Sequence, residues 1–124
     1  MEEALTRNVD SILLSIKKLI GLAEDYTQFD TDLIIHINTA FAVLHQLGVG
    51  PKKPYTISGT EETWDEFVTD QINAENVRSY VYMKVKMLFD PPSTATMHEA
   101  FERQIQEMEW RLNVAVDPLE VFGD

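Results

Sequence analysis

The sequence predicts an all-α protein: a small bundle of four to five helices, with a loop or short β-hairpin arm between the second and third. Three observations predict it. Apolar residues recur at helical spacing along several long stretches. Helix-capping residues precede those stretches, and glycine or proline follows them. The five glycines and five prolines are few, and five of these ten fall between residues 48 and 64.

The first helix is expected over residues 10–20, "DSILLSIKKLI", where Ile12, Leu13, Ile16, Leu19 and Ile20 share a face. Asp10 is its expected N-cap, Lys17 and Lys18 suit the C-terminal dipole, and Gly21 ends it. An acidic linker follows, with Tyr26 and Phe29 as anchors. The second helix should run from about Thr31 to Leu47, capped by Asp30 and closed by Gly48. Leu33, Ile37, Ala40, Phe41, Leu44 and Leu47 make its stripe, and Ile34, Ile35 and Val43 widen it. An apolar surface this broad suits the central helix of a bundle, or one covered on its second side by another subunit, with the central position favoured.

"GVGPKKPYTISGTEETW" reads as an ordered loop in which Tyr55-Thr56-Ile57 can form a short strand or hairpin arm. Thr60 is the expected cap of a short acidic helix with Trp64, Phe67 and Val68 on its apolar face. Asn73 opens a stronger helix through Phe89, with Val77, Tyr80, Val81, Val85 and Leu88 inside. After Asp90-Pro91-Pro92, Ser93 or Thr94 caps a last helix with a seam of Met97, Phe101, Ile105, Met108 and Leu112. The expected organisation is one helical domain over residues 1–116, with its arm or loop at about 48–60, and a proline-broken tail at 117–124. At 124 residues the chain is long enough to bury one core.

Charge and composition exclude several function classes. The formal charge of −11 argues against gripping nucleic acid, which needs Lys and Arg to neutralise phosphates. Without cysteine there is no disulfide, thiolate nucleophile or Cys-based zinc site. Apolar runs such as Ile12–Leu14 and Leu33–Ile35, and even the five residues Ala40–Leu44, fall far short of the roughly 20 residues that span a bilayer, so no membrane partner is expected. The start, "MEEALTRNVD", carries no basic and apolar export signal, which fits a cytosolic or assembly-bound protein.

A search for chemistry finds none. His36 and His45 fall on opposite sides of one helix, and His98-Glu99 lacks the second histidine of a zinc motif. Glu99, Glu102, Glu107 and Glu109 distribute around their helix, whereas a di-metal bundle needs inward carboxylates. "GVG" lacks the spacing of a phosphate-binding loop. No catalytic residue, cofactor or metal is expected, and the chain does not read as an enzyme. The remaining signal is apolar surface with no place in one core. Trp110 lies off the last seam among charges, and the tail segment "PLEVF" ends the chain. The interface candidates are Trp110, Tyr55 and Ile57 of the arm, and Leu119, Val121 and Phe122 of the tail.

Three stretches taken together carry a resemblance: residues 12–50, with the helix start "FDTDLIIHIN" and the helix end "QLGVG"; residues 79–94, with the "DPP" corner; and "EWRLNV" at 109–114. The chain resembles the head–tail connector, or neck adaptor, proteins of tailed bacteriophages and prophages. That resemblance implies a structural virion protein forming a homo-oligomeric ring of about twelve copies. The implied ring sits in the neck, joins the portal protein to the next neck or tail-completion protein, and extends the channel through which packaged DNA passes without sequence-specific binding. Its implied locations are the virion and, during assembly, the host cytoplasm. It also implies that the loop at about Pro51–Ser58 and the segment at about Asp117–Phe122 meet neighbouring rings. An accessory module that binds a single phage protein without forming a ring is the alternative. In either case the proline corner reads as a fixed joint: a proline disfavours αR in the residue before it, and two in succession resist bending.

Overall fold

The computed structural model describes the backbone of residues 10–123 and the side chains of 10–116, Gln71 excepted. Five helices follow one another among these residues: α1 (Ile12–Ile20), α2 (Asp30–Gln46), α3 (Trp64–Phe67), α4 (Gln71–Phe89) and α5 (Ala95–Gly123). The fold is all-α, as expected. No strand forms among the described residues, where the one β-type pairing is an isolated bridge between Ser11 and Thr63.

Helix α1 starts because the Ser11 hydroxyl accepts from the Leu14 N–H, so the cap is Ser11 and not Asp10. It ends at Gly21, whose φ of +98° places it in the left-handed region. Helix α2 begins at Asp30 without a side-chain cap, and the Asp30 carboxylate is used elsewhere. Helix α3 begins after Thr63 instead of Thr60, with the Glu66 carboxylate reaching back to the Thr63 N–H at 3.3 Å. Helix α4 starts one turn earlier than the sequence suggests, from Asp70, whose carbonyl accepts from Ala74 at 2.7 Å. Thr94 caps α5 by accepting from Met97.

The hub is α4, which touches every other described helix, whereas α2 packs chiefly on α4 and α1 and meets α3 through Phe41. The sequence favours α2 for that position. Val77, Tyr80, Val81 and Val85 of α4 are fully buried, and Met83 joins them in the core. On α2, Leu33, Ile37, Ala40, Phe41 and Leu44 are buried, Ile34 and Val43 pack at the edge of the core, and Ile35 faces out. The Tyr80 hydroxyl donates to Glu109 at 2.7 Å and so ties α4 to α5. Burial, then that bond and the carboxylate charge, hold the Tyr80 phenol well above its ordinary pKa.

The region between α2 and α3 is an ordered loop with no hairpin among its residues. Its backbone finds a side chain where a hairpin would supply a strand. The Asn38 amide donates to the Ile57 carbonyl at 3.0 Å and accepts from the Ile57 N–H at 2.8 Å. Glu62 closes the next turn by accepting from Ser58 and Gly59. Burial alone would raise the Glu62 pKa, but these hydrogen bonds outweigh it and hold the carboxyl below its usual value.

Gly50 anchors the other end of the loop at φ +95°, where a Cβ would collide with the Phe67 ring. Gly21 has a similar φ but open space around it. Gly50→Ala is therefore expected to cost roughly 3 kcal/mol, combining left-handed strain with displacement of a buried ring. Gly21→Ala should cost about 1–2 kcal/mol, from backbone strain alone. Urea unfolding of the two variants side by side measures the difference, and equal losses would contradict the close packing at Phe67.

The last helix departs most from expectation. Its backbone stays helical through Pro118 to Gly123, where the sequence reading ends it and begins a tail. A proline costs a helix one N–H hydrogen bond and crowds the turn before it, and the helix here continues across it nonetheless. The side chains of 117–124 lie outside the described residues. The seam also closes only in part. Ile105 and Leu112 are buried, Phe101 and Met108 are half-buried, and Met97 is 54% exposed.

Candidate protein interface

Trp110 stands on α5 at about 140° from Ile105 and about 200° from Leu112, taking 100° per residue. With both of those residues buried against the bundle, the Trp110 indole must face outward, and it is 65% exposed. Val114, four residues on, continues the same face and is also exposed. Beside them Arg111 pairs with Glu107 at 2.7 Å. The result is an apolar strip bordered by a charged pair, and tryptophan in such a place is a residue type enriched at binding hot spots.

The arm candidates sit differently. Ile57 is 3% exposed and belongs to the core of its own chain. Tyr55 is half-buried, with its ring edge-on to Phe41 at 5.2 Å and to Phe67 at 5.6 Å. Its hydroxyl donates to Glu66 at 2.8 Å. Burial first, and then that bond, push the Tyr55 phenol above its ordinary pKa. Both residues fasten the loop to α2 and α3, and what the loop offers outward is its tip, Pro51 to Pro54. Leu119, Val121 and Phe122 lie outside the described side chains. Of the three candidates whose side chains are described, Trp110 is exposed, Tyr55 half-buried and Ile57 part of the core.

The exposed apolar residues that sequence reasoning missed are Leu19, Tyr26, Ile35, Ile72, Leu88, Met97 and Val114. Leu88 and Met97 were assigned to inward seams because their spacing fits. Those seams part near the corner, where α4 ends and α5 has yet to close on it. At the corner Lys86 pairs with Asp90 at 2.8 Å, which fixes the last turn of α4 before the prolines. Two open grooves flank the α4–α5 contact. One, of about 350 Å³, includes Lys84, Leu88, His98 and Ile105. The other, of about 460 Å³, includes Tyr82, Gln104, Met108 and Arg111.

Polar groups are not assembled for chemistry at any of these places. Among the described residues no group of three or more His, Asp or Glu is gathered where a metal ion could be held. His98 meets Glu102 along one helix face at 3.2 Å, and His36 lies against the Phe89 ring. The Ser15 hydroxyl is occupied by the Trp64 indole and the Ile12 carbonyl. No described helix is long and apolar enough to cross a membrane.

Fold and surface together define a small all-α helical bundle with exposed apolar side chains. A family model described as phage connector protein matches residues 12–118, from the first residue of α1 into α5. The chain belongs to the phage connector protein family, whose members are structural proteins of the phage head–tail junction. No curated protein and no solved structure matches the chain.

Proposed function

We propose that this protein forms a homo-oligomeric ring in the neck of a phage or prophage particle, between portal and tail, extending the DNA channel after packaging. The family match over residues 12–118 carries this reading. Two physical features support it. A chain of charge −11 repels the DNA backbone, so DNA can slide past it without being gripped. The Asp90-Pro91-Pro92 joint sets one angle between α4 and α5, as a subunit meeting identical neighbours in identical ways requires. The partners would be further copies of the chain, the portal protein and the next neck or tail-completion protein. The locations would be the host cytoplasm during assembly and the neck of the finished virion.

Trp110, with Val114 beside it, is the proposed contact to a neighbouring protein. Trp110→Ala should leave unfolding unchanged, because the indole is mostly in water, and weaken portal or ring binding by about 2 kcal/mol. Truncation after Val116 tests the contribution of Leu119, Val121 and Phe122 in the same binding assay. Undiminished binding by both variants would remove these surfaces from the account. A one-to-one complex with a single phage protein, and no ring, would favour the accessory role instead.

A further inference from the structure

Among the described residues, five of the eight exposed large apolar side chains gather at one end of the bundle, although they come from different elements. Leu19 is in the last turn of α1, Tyr26 in the linker, Ile35 in the first half of α2, Leu88 at the end of α4 and Met97 in the first turn of α5. A chain of rings holds that end together: Tyr26 on Phe29 at 5.7 Å, Phe29 on Phe89 at 5.3 Å, and Phe89 beside His36 at 6.4 Å. The exposed carboxylates Asp25, Asp32 and Glu99 stand in the same elements, and none of them has an ion pair among the described residues. Lys18 and Lys84 are the bases near this end that no described carboxylate pairs, since Lys17 is held by Asp30 and Lys86 by Asp90. That end thus carries exposed apolar side chains together with carboxylates that outnumber its unpaired bases among the described residues.

Its complement lies elsewhere on the same chain. Lys52 and Lys53 are adjacent, exposed and without an ion pair among the described residues, between the exposed Pro51 and Pro54. The loop that carries them is stiff, because Gly50 abuts Phe67 on one side and Tyr55 packs on Phe41 and Phe67 on the other. It follows the C-terminal end of α2, whereas the acidic apolar end surrounds the N-terminal end of that helix. A 17-residue helix is about 25 Å long, so the two surfaces do not meet within one copy.

We propose that the apolar, acidic end around Leu88 and Met97 docks the Lys52–Lys53 loop of a second copy in a head-to-tail contact. Different patches meet, so the contact is heterologous, the type that closes a ring when the rotation permits. Proline rings and lysine stems cover the apolar side chains, and the ammonium groups reach the carboxylates. Copies of charge −11 repel one another in most orientations, and this one brings opposite charges together. The inference rests on the ring reading and supplies that ring with a subunit contact.

Charge reversal on each side tests it. Sedimentation at low ionic strength should show the wild-type chain associating with itself, less so as salt is added. Lys52→Glu/Lys53→Glu and Asp25→Lys/Asp32→Lys should each weaken association by roughly tenfold or more. An equimolar mixture of the two should recover it, since each acidic surface then meets a basic one. Leu88→Ser should weaken association at every salt concentration, with thermal unfolding reported alongside as the check on the fold. A wild-type chain that stays monomeric, variants that associate like wild type, or a mixture that fails to recover would each overturn the contact. Electron microscopy on portal particles separates this from the ring reading. Rings built by the reversed variants would overturn the contact alone, and absence of rings from the wild-type chain would overturn the ring.

Discussion

Lys17→Ala is expected to lower stability by about 3–5 kcal/mol, measured as a shift of the urea midpoint at unchanged slope. Lys17 is fully buried, which is rare for a lysine. Its ammonium donates to the Glu24 carbonyl at 2.9 Å and lies 2.9 Å from the Asp30 carboxylate. The contact with Asp30 is an attraction of charges without hydrogen-bond alignment, since the near carboxylate oxygen accepts no aligned donor. These two contacts fold the linker back on α1 and seat the start of α2. Removing the lysine leaves a half-covered carboxylate without its counter-charge, an unpaired carbonyl and the volume of the lost stem. Lys17→Met keeps most of the packing, so its loss should come mainly from the stranded charge. Adding Asp30→Asn to Lys17→Met should recover part of that loss, because the pair costs desolvation that a neutral pair does not. If Lys17→Ala costs under about 1 kcal/mol, the linker is not held in this way.

Phe41→Ala should cost a similar amount, about 3–5 kcal/mol. Phe41 is fully buried on α2 and forms the centre of a ring cluster: Phe67 at 4.6 Å, Tyr55 at 5.2 Å and Trp64 at 6.2 Å. Those partners come from the loop and α3, segments with little regular structure of their own. Contact with this one ring and with Asn38 therefore helps to order residues 50–67, beside the Trp64–Ser15 bond and the Ser11–Thr63 bridge. The substitution should both destabilise the chain and loosen the loop, seen as faster amide exchange at Ile57 in a fold that still melts cooperatively. Phe41→Leu should cost less than half as much, since it retains most of the apolar volume. An alanine variant within about 1 kcal/mol of wild type would contradict the packing described here.

Much of the helical architecture is legible in the apolar spacing, because a stripe such as Val77, Tyr80, Val81 and Val85 has few other ways to be buried. Trp110 was legible for the complementary reason, falling off the seam of its helix. Lys17 shows where residue type misleads. It follows Leu13 by four residues, so the register alone puts it on the buried face, but a lysine near a helix end suggests a solvated dipole partner. Asn38 gave no signal, since its role depends on a loop residue 19 positions away in the chain. The loop itself was read from its Gly and Pro content, and a hairpin remained open as long as the backbone partner of Ile57 was unknown. Exposure of Leu88 and Met97 was hidden because spacing shows that a seam exists and not how far along two helices it stays closed.

The proposal for this member of the phage connector protein family is a ring-forming joint held by surface apolar residues. Electron microscopy of DNA-filled portal particles incubated with the purified chain tests that most directly. The expected result is a closed ring of this protein at the portal, with DNA continuing through it, and loss of that ring with Trp110→Ala. Particles that show no added density, or one copy of the chain bound at the side of the portal, would contradict it.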